Sequence, residues 1–393
     1  MKPIYRLVPA GMALIGVTYG LARFAYGLFL PDMRADVGLS PALAGAIGGG
    51  SYAGYCIAIV TAALLSTRFG PRPIACLAGV VATGGMALIA LGQTPAVLAA
   101  GVLIAGMSTG FSSPPMADAV ARLIDTQQQP RANALINSGT CAGIVISGPA
   151  ALLAMGQWRE AYWAFTVMAF AATVWIAAAA PRRGETRHRE PEREGDALPW
   201  RALLRPRAAA LMLAAAAMGF ASAVYWTFAG ELVVQRQDLA AGLANLVWVV
   251  IGIGGLAGAA AGDLVQRFGI NAVHGGSLLA LAVASCLLVL VSAGGAGVLV
   301  SAMLFGAAYI MLTGVYLVWG VRVYADRPAI GIGLPFLMIA VGQALGSPVA
   351  GQLIEAFGYR AAFVAFALVA VLTTTAGWGS ESGEATERAV GYP

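Results

Sequence analysis

The chain has 393 residues, of which 59% are hydrophobic and only 10% charged, and its mean hydropathy is +0.80. A soluble chain of this length needs far more charge, so the composition excludes an aqueous globular protein and indicates residence in a membrane. The net charge of +5 is no sign of nucleic-acid binding, because nearly all the basic residues lie between apolar segments, where they set topology.

A helix of about 20 apolar residues crosses the hydrocarbon core. On that ruler the first half holds six predicted helices, at about 8–30, 43–66, 73–92, 96–121, 134–155 and 161–180. The second half holds six more, at about 208–233, 241–263, 272–292, 296–319, 329–353 and 361–378. The expected organisation is an N-terminal bundle over 1–180, a charged cytoplasmic linker over 181–207, a C-terminal bundle over 208–378 and a cytoplasmic tail over 379–393. The first segment starts near Leu7 without a small-residue cleavage site and is read as a retained helix.

Arg23 is the most informative residue of helix 1. A charge inside the membrane is costly unless it faces a polar cavity or has a partner. Tyr19 and Tyr26, four residues before and three after, are expected on the same face. Arg23 binding an anionic group, with the tyrosines donating hydrogen bonds, is one reading. A structural Arg23 paired with Asp118, Glu231 or helix carbonyls is another, and snorkelling to the outer interface is a third.

Helix 4 offers Ser108, Thr109, Ser112 and Ser113, then Pro114-Pro115 and Asp118. Asp118 reads as a partner for Arg122 or a gate contact ahead of a substrate role, and as the proton-carrying candidate next after Glu231. In helix 7, Tyr225, Trp226 and Phe228 precede Glu231, a carboxyl placed either to carry a coupling proton or to lie at the outer surface. His274, at the start of helix 9 and outside the expected cavity helices, reads as an interfacial residue ahead of a proton shuttle. Helix 10 carries Tyr309, Thr313, Tyr316 and Trp319, a recognition wall or, equally, packing and interfacial aromatics. The four cysteines have no metal-ligand spacing. No HExxH, GxSxG or phosphate-loop pattern appears, so neither an enzyme nor a bound cofactor is expected.

The second half repeats the first roughly 200 residues later, as expected of a duplicated bundle. Arg68-Phe69-Gly70 recurs as Arg267-Phe268-Gly269, and Gly143 and Pro149 recur as Gly342 and Pro348. Arg159-Glu160-Ala161-Tyr162 corresponds to Arg360-Ala361-Ala362-Phe363. Of the 23 Lys and Arg residues, only Arg34, Arg159, Arg236 and Arg360 fall in the outer loops when the N-terminus is placed in the cytoplasm. The positive-inside rule therefore predicts both termini and the linker inside.

The duplicated Arg-Phe-Gly loops after helices 2 and 8 resemble the cytoplasmic loop motif of the major facilitator superfamily. The stretch Tyr19-Gly20-Leu21-Ala22-Arg23-Phe24-Ala25-Tyr26-Gly27-Leu28 is similar to its YbfB/YjiJ-like branch. The resemblance implies an all-α membrane protein of twelve helices in two pseudo-symmetric six-helix bundles, with helices 1, 4, 7 and 10 around a central cavity. It also implies gating roles for Asp263 and for Arg68 and Arg267, the two arginines binding helix-end carbonyls or, in the other reading, only fixing topology. Thr67 and Gln266 replace the motif's usual aspartate, so its charged latch does not transfer unchanged. Gly143, Gly148 and Pro149 in helix 5, like Gly342 and Pro348 in helix 11, look like the glycine-proline signature of facilitator-type antiporters. The expected function is a monomeric secondary transporter in a bacterial inner membrane, moving a small organic anion with protons by alternating access. The alternatives are a proton-driven exporter of amphipathic metabolites or drugs, a uniporter, or a membrane protein that does not transport.

Overall fold

In lipid every backbone N–H and C=O must be paired within the chain, so a run of apolar residues becomes a helix. The computed structural model describes residues 3–154, 156–182, 206–236, 239, 242–290, 294–325 and 328–374, and its described elements are all helical. Eleven of its helices are long and apolar enough to span a membrane. They are α1 (Ile4–Val37), α2 (Pro41–Ser66), α3 (Pro71–Ala90), α4 (Pro95–Leu123), α5 (Thr126–Ala154), α6 (Trp158–Ala179), α7 (Ala208–Gln235), α8 (Leu243–Phe268), α9 (Ile270–Val289), α10 (Gly294–Val323) and α11 (Ile330–Thr373). The last is two helices that meet at Gly358, whose φ of 81° and ψ of 169° break the helix. That break falls between the ranges expected for helices 11 and 12. Most of the expected linker, and the tail, lie outside the described residues.

Local signals explain several helix ends. Proline opens α2, α3 and α4 at Pro41, Pro71 and Pro95, where its missing N–H costs nothing. Ser40 and Thr94 cap α2 and α4 by accepting from the backbone N–H of Leu43 and Val97. The duplicated Arg-Phe-Gly loops have one geometry. Gly70 and Gly269 sit at φ 81° and 82°, and each donates its N–H to the carbonyl four residues back. Only glycine takes that backbone conformation without strain.

The repeated glycines have matching jobs. Gly143 of α5 lies so close to α1 that a Cβ there would run into the Gly16 carbonyl. Gly342 of α11 lies equally close to α7, against the Ala216 carbonyl. In each half a glycine of the fifth helix therefore brings that helix onto the first, as small residues do in membranes.

The two halves meet along α1–α7, α2–α11 and α5–α8. Their described polar links run from mid-membrane to one end. Trp248 of α8 donates to the Phe24 carbonyl at 3.2 Å, and Ser347 of α11 donates to the Gly45 carbonyl at 2.9 Å. The backbone N–H of Ala42 donates to Glu355 at 3.0 Å, and Arg34 of α1 pairs with Glu231 of α7.

Candidate functional site

Residues Gly16–Phe24 of α1 form a π-helix of nine residues, flanked by α-helix on both sides. Such widened turns recur at functional sites. Here the turn carries Tyr19 and Arg23. Its i→i+5 bonding adds a residue per turn, so positions beyond Phe24 rotate away from the face that an unbroken α-helix would give them. Tyr19 stays with Arg23, whose guanidinium carbon is 5.8 Å from the Tyr19 ring centre. Tyr26 does not: its hydroxyl donates to the Ala44 carbonyl at 2.9 Å. The expectation that all three share a face is thus corrected for Tyr26.

Arg23 is 6% exposed, yet it makes no ion pair among the described residues. None of the three acceptors expected from the sequence pairs with it. Its Nη2 instead donates to Oε1 of Gln343 on α11 at 2.8 Å, and its Nε is buried without a hydrogen-bond partner. Four rings surround the charge, with centres 4.5 Å away for Tyr52, 4.7 Å for Tyr55, 5.2 Å for Phe24 and 5.8 Å for Tyr19. Each such contact contributes about 0.5–2 kcal/mol, rising with desolvation. Rings soften the cost of burying the guanidinium but do not neutralise it.

The second half closes the other side of the cage. Gln343 Nε2 donates to the Tyr309 hydroxyl at 3.1 Å. Trp226 stacks on Phe24 with centres 4.2 Å apart and meets Tyr309 edge-on at 5.1 Å. Tyr19 shares a 2.8 Å hydrogen bond with Ser113 of α4. Ser112, next to it, accepts from Thr18 and donates to the Thr109 carbonyl. Of the sequence-predicted site residues, Tyr19, Arg23, Ser113, Trp226 and Tyr309 thus converge, with Ser112 behind them.

Three other candidates have different partners. Tyr225 stacks on Phe305 at 3.8 Å, and its hydroxyl bonds Ser301 at 2.8 Å inside the packing of α7 and α10. Thr313 donates to the Ile310 carbonyl of its own helix. Tyr316 donates to the Ala214 carbonyl and contacts His274. The sequence reading missed Tyr52, Tyr55 and Gln343. The first two are an i, i+3 tyrosine pair on an apolar helix, and the third is a lone amide amid small residues; both patterns were legible as polar atoms needing partners.

The acids are engaged elsewhere. Asp118 takes Arg122 at 2.9 Å, the i, i+4 partner expected from the sequence. Glu231 lies 5% exposed with Oε1 on Arg34 and on Gln235 Nε2, while its Oε2 is buried without a partner. Tyr359, beyond the Gly358 break, also bonds Arg34 and Gln235. Asp36 pairs with Arg159 at the same end. At the opposite end Arg68 and Arg267 are exposed and lie over their neighbours Phe69 and Phe268, and Asp263 is exposed. Gly148 abuts Asn245 and Val249 of α8, Pro348 packs beside Gly49 of α2, and Pro149 is exposed. His274, expected at an interface, is 1% exposed: it is held inside α7, α9 and α10 by Tyr316.

Comparison with known proteins agrees with the architecture. The chain is 28% identical over 357 residues to a Pseudomonas aeruginosa protein named transcription regulatory protein OpdE, covering 87% of this chain and 86% of that one. Its fold matches the nucleoside transporter NupG with a TM-score of 0.76 at 12% identity, over 96% of this chain and 98% of the other. It matches a bacterial homolog of the human lysosomal transporter Spinster, in an inward-facing and occupied conformation, with a TM-score of 0.76 at 15% identity over 97% and 98%. A POT family transporter in complex with 5-aminolevulinic acid gives 0.76 at 13% identity over 95% and 94%. The branch suggested by residues 19–28 stays an expectation of the sequence. Residues 12–334 match the profile of the Major Facilitator Superfamily, and with its spans and helix packing the chain belongs to that family of membrane transporters.

Proposed function

We propose that this protein is a secondary transporter of small organic anions, and that Arg23 is the anion-binding group. One observation carries the reading: a buried guanidinium with an unpartnered Nε and no carboxylate among the described residues. A charge so placed is stabilised best by an anion supplied from outside, through its planar donor fork. The rings around it fit a ligand with an apolar body, and Tyr19, Tyr309 and Gln343 offer polar atoms beside the charge. Arg23 and Gln343 come from different halves, so an anion that displaces Gln343 would loosen the join while it binds.

The polar links lie toward the end carrying Arg34, Ala42 and Glu355. With both termini in the cytoplasm, as the arginine distribution predicts, that end is extracellular. The state then opens to the inside, and Arg34, Glu231 and Tyr359 form the outer closure. Glu231 enters as a proton carrier: a proton on its bare Oε2 removes the charge that holds Arg34. Asp118 ranks behind it because its arginine is on its own helix. Arg68, Asp263 and Arg267 act at the inner gate, and Gly143 and Gly342 keep each half rigid as it rocks. The unit of function is a monomer of two bundles, 1–180 and 208–378, in the inner membrane.

The name of the Pseudomonas aeruginosa relative supports a second reading, in which the anion is a signal and no net flux follows. A thermal-shift screen of carboxylates on the purified protein separates both readings from neutral-solute transport. Carboxylates should raise Tm in the wild type and not in Arg23→Ala. Flux in proteoliposomes then divides transporter from sensor.

A further inference from the structure

Five residues of the Arg23 cage close into one ring of contacts. Arg23 bonds Gln343, Gln343 bonds Tyr309, Tyr309 meets Trp226, Trp226 stacks on Phe24, and Phe24 lies 5.2 Å from the guanidinium. α1 supplies Arg23 and Phe24, and the second half supplies the other three. The described acceptors of this ring are already engaged: Gln343 Oε1 takes Arg23, and the Tyr309 oxygen takes Gln343. Its donors are in surplus. Arg23 Nε and Trp226 Nε1 are both buried with no hydrogen-bond partner. The Tyr309 hydroxyl accepts from Gln343, and its own proton has no described acceptor.

Trp226 cannot turn to satisfy itself. It is 2% exposed. Its ring stacks on Phe24 at 4.2 Å, while Phe305 and Tyr309 stand edge-on to it at 5.3 and 5.1 Å. Its backbone is pressed onto α1, where a Cβ on Gly27 would run into the Trp226 carbonyl. Helix packing and three rings thus fix the direction of the indole N–H. An indole nitrogen is a donor only, so no tautomer or flip makes it an acceptor. A buried donor left without an acceptor is costly, and native proteins keep few of them.

These donors ask for oxygen atoms on a ligand. One guanidinium suits one negative charge. The indole and the phenol are uncharged donors, which suit an uncharged acceptor such as a ketone, hydroxyl or ether oxygen. The described ion pairs put Asp36, Asp118 and Glu231 on Arg159, Arg122 and Arg34, so an ammonium on the ligand would find no counter-charge in the ring. Two contacts in series, of 5.2 and 4.2 Å, separate the guanidinium from the indole. The second acceptor therefore belongs on the ligand's body, a few atoms from its carboxylate.

We propose that the substrate is a monoanion with a second, uncharged oxygen acceptor, and that Trp226 of α7 donates its indole N–H to that oxygen while Arg23 holds the anionic end. Trp226 is then the specificity-determining residue of the second half, and the ligand bridges the two halves through its own length. The inference rests on the anion reading of Arg23 for the charged end only.

Matched carboxylates that differ in one oxygen test it, by titration calorimetry on the full-length protein in lipid nanodiscs. In the pairs 4-oxohexanoate with 4-methylidenehexanoate, and 3-acetylbenzoate with 3-isopropenylbenzoate, a ketone oxygen is exchanged for a methylene of similar shape. The wild type should bind at least one ketone acid about five- to tenfold more tightly than its methylene partner, the effect of one neutral hydrogen bond. Without a donor the order reverses, because a bare carbonyl is costly to bury. Trp226→Phe keeps a ring against Phe24 but lacks the N–H, and should erase the preference. Arg23→Ala should lose both members of each pair. If Trp226→Phe does not fold, the wild-type order alone decides. No ketone preference in either pair, or a preference that survives in folded Trp226→Phe, would overturn the indole contact and leave anion binding at Arg23 standing. A ketone preference that survives in Arg23→Ala with undiminished affinity would overturn the Arg23 reading and leave the indole contact standing. No binding of any of these acids by the wild type would overturn both.

Discussion

Arg23 of α1 and Gln343 of α11 are joined by a 2.8 Å hydrogen bond that crosses between the two halves. Gln343 is fully buried and passes the link on to Tyr309. An amide satisfies one donor of the guanidinium without cancelling its charge, and the proposed anion would take up that charge.

Replacing Gln343 by glutamate should remove that vacancy. Gln343→Glu places a carboxylate on Arg23, so anion binding should fall by an order of magnitude or more while thermal stability in detergent holds or rises. Gln343→Ala removes one hydrogen bond to a charged group, typically about 1.5–3 kcal/mol, and should lower Tm while binding persists. Tm and anion affinity, measured on both variants, check the pair. Tighter binding by Gln343→Glu would show that the anion does not compete for Arg23.

The tyrosine pair of α2 gives a second test. Tyr52→Phe and Tyr55→Phe keep the ring beneath the guanidinium and should cost little. Tyr52→Leu and Tyr55→Leu remove the cation–π contact and should each weaken anion binding or folding by about 0.5–2 kcal/mol. Equal effects of Phe and Leu in both assays would assign these residues to their hydroxyls.

Much of this was legible in the sequence. Hydropathy located the spans because the bilayer imposes one length and one backbone solution. The repeat correctly paired Gly70 with Gly269 and Gly143 with Gly342, since each pair meets the same local demand. The site was less legible. Arg23 declares itself as a buried charge, but its partner lies 320 positions away and is a side-chain amide, so a search among carboxylates and helix carbonyls missed it. Tyr26 was misplaced because nothing in Gly16–Phe24 announces a π-helix; a one-residue change in bonding depends on how α1 packs on α5. His274 was misjudged because a position near a predicted helix end says nothing about which neighbours cover it.

The Arg34–Glu231 pair is predicted to hold the outer end shut. In a background lacking Cys56, Cys76, Cys141 and Cys286, Ala44→Cys places a thiol at a fully buried position beneath Tyr26. Its labelling by an impermeant maleimide should rise about tenfold in Arg34→Ala and Glu231→Gln, the effect of about 1.4 kcal/mol on the opening equilibrium. Unchanged labelling in both would remove the pair from the closure. The same reagent should reach Gln157→Cys from outside and Arg72→Cys only from inside, which checks the orientation.

Gly143→Ala and Gly342→Ala should behave alike. Each Cβ meets a backbone carbonyl that cannot move aside as a side chain would, and overpacking of this kind costs about 1–3 kcal/mol. Both variants should lose thermal stability to a similar degree. A change in Gly50→Ala, where a Cβ meets open space, should leave Tm within error.

Counterflow in proteoliposomes tests the account most directly. Vesicles loaded with the carboxylate that most raises Tm, then diluted into its labelled form, should accumulate label transiently with the wild type. Arg23→Ala should abolish this and Arg23→Lys should restore part of it, because lysine keeps the charge without the planar fork. Both variants must insert and unfold normally for the result to count. Full counterflow by Arg23→Ala, or counterflow confined to neutral or cationic solutes in the wild type, would contradict anion transport through Arg23.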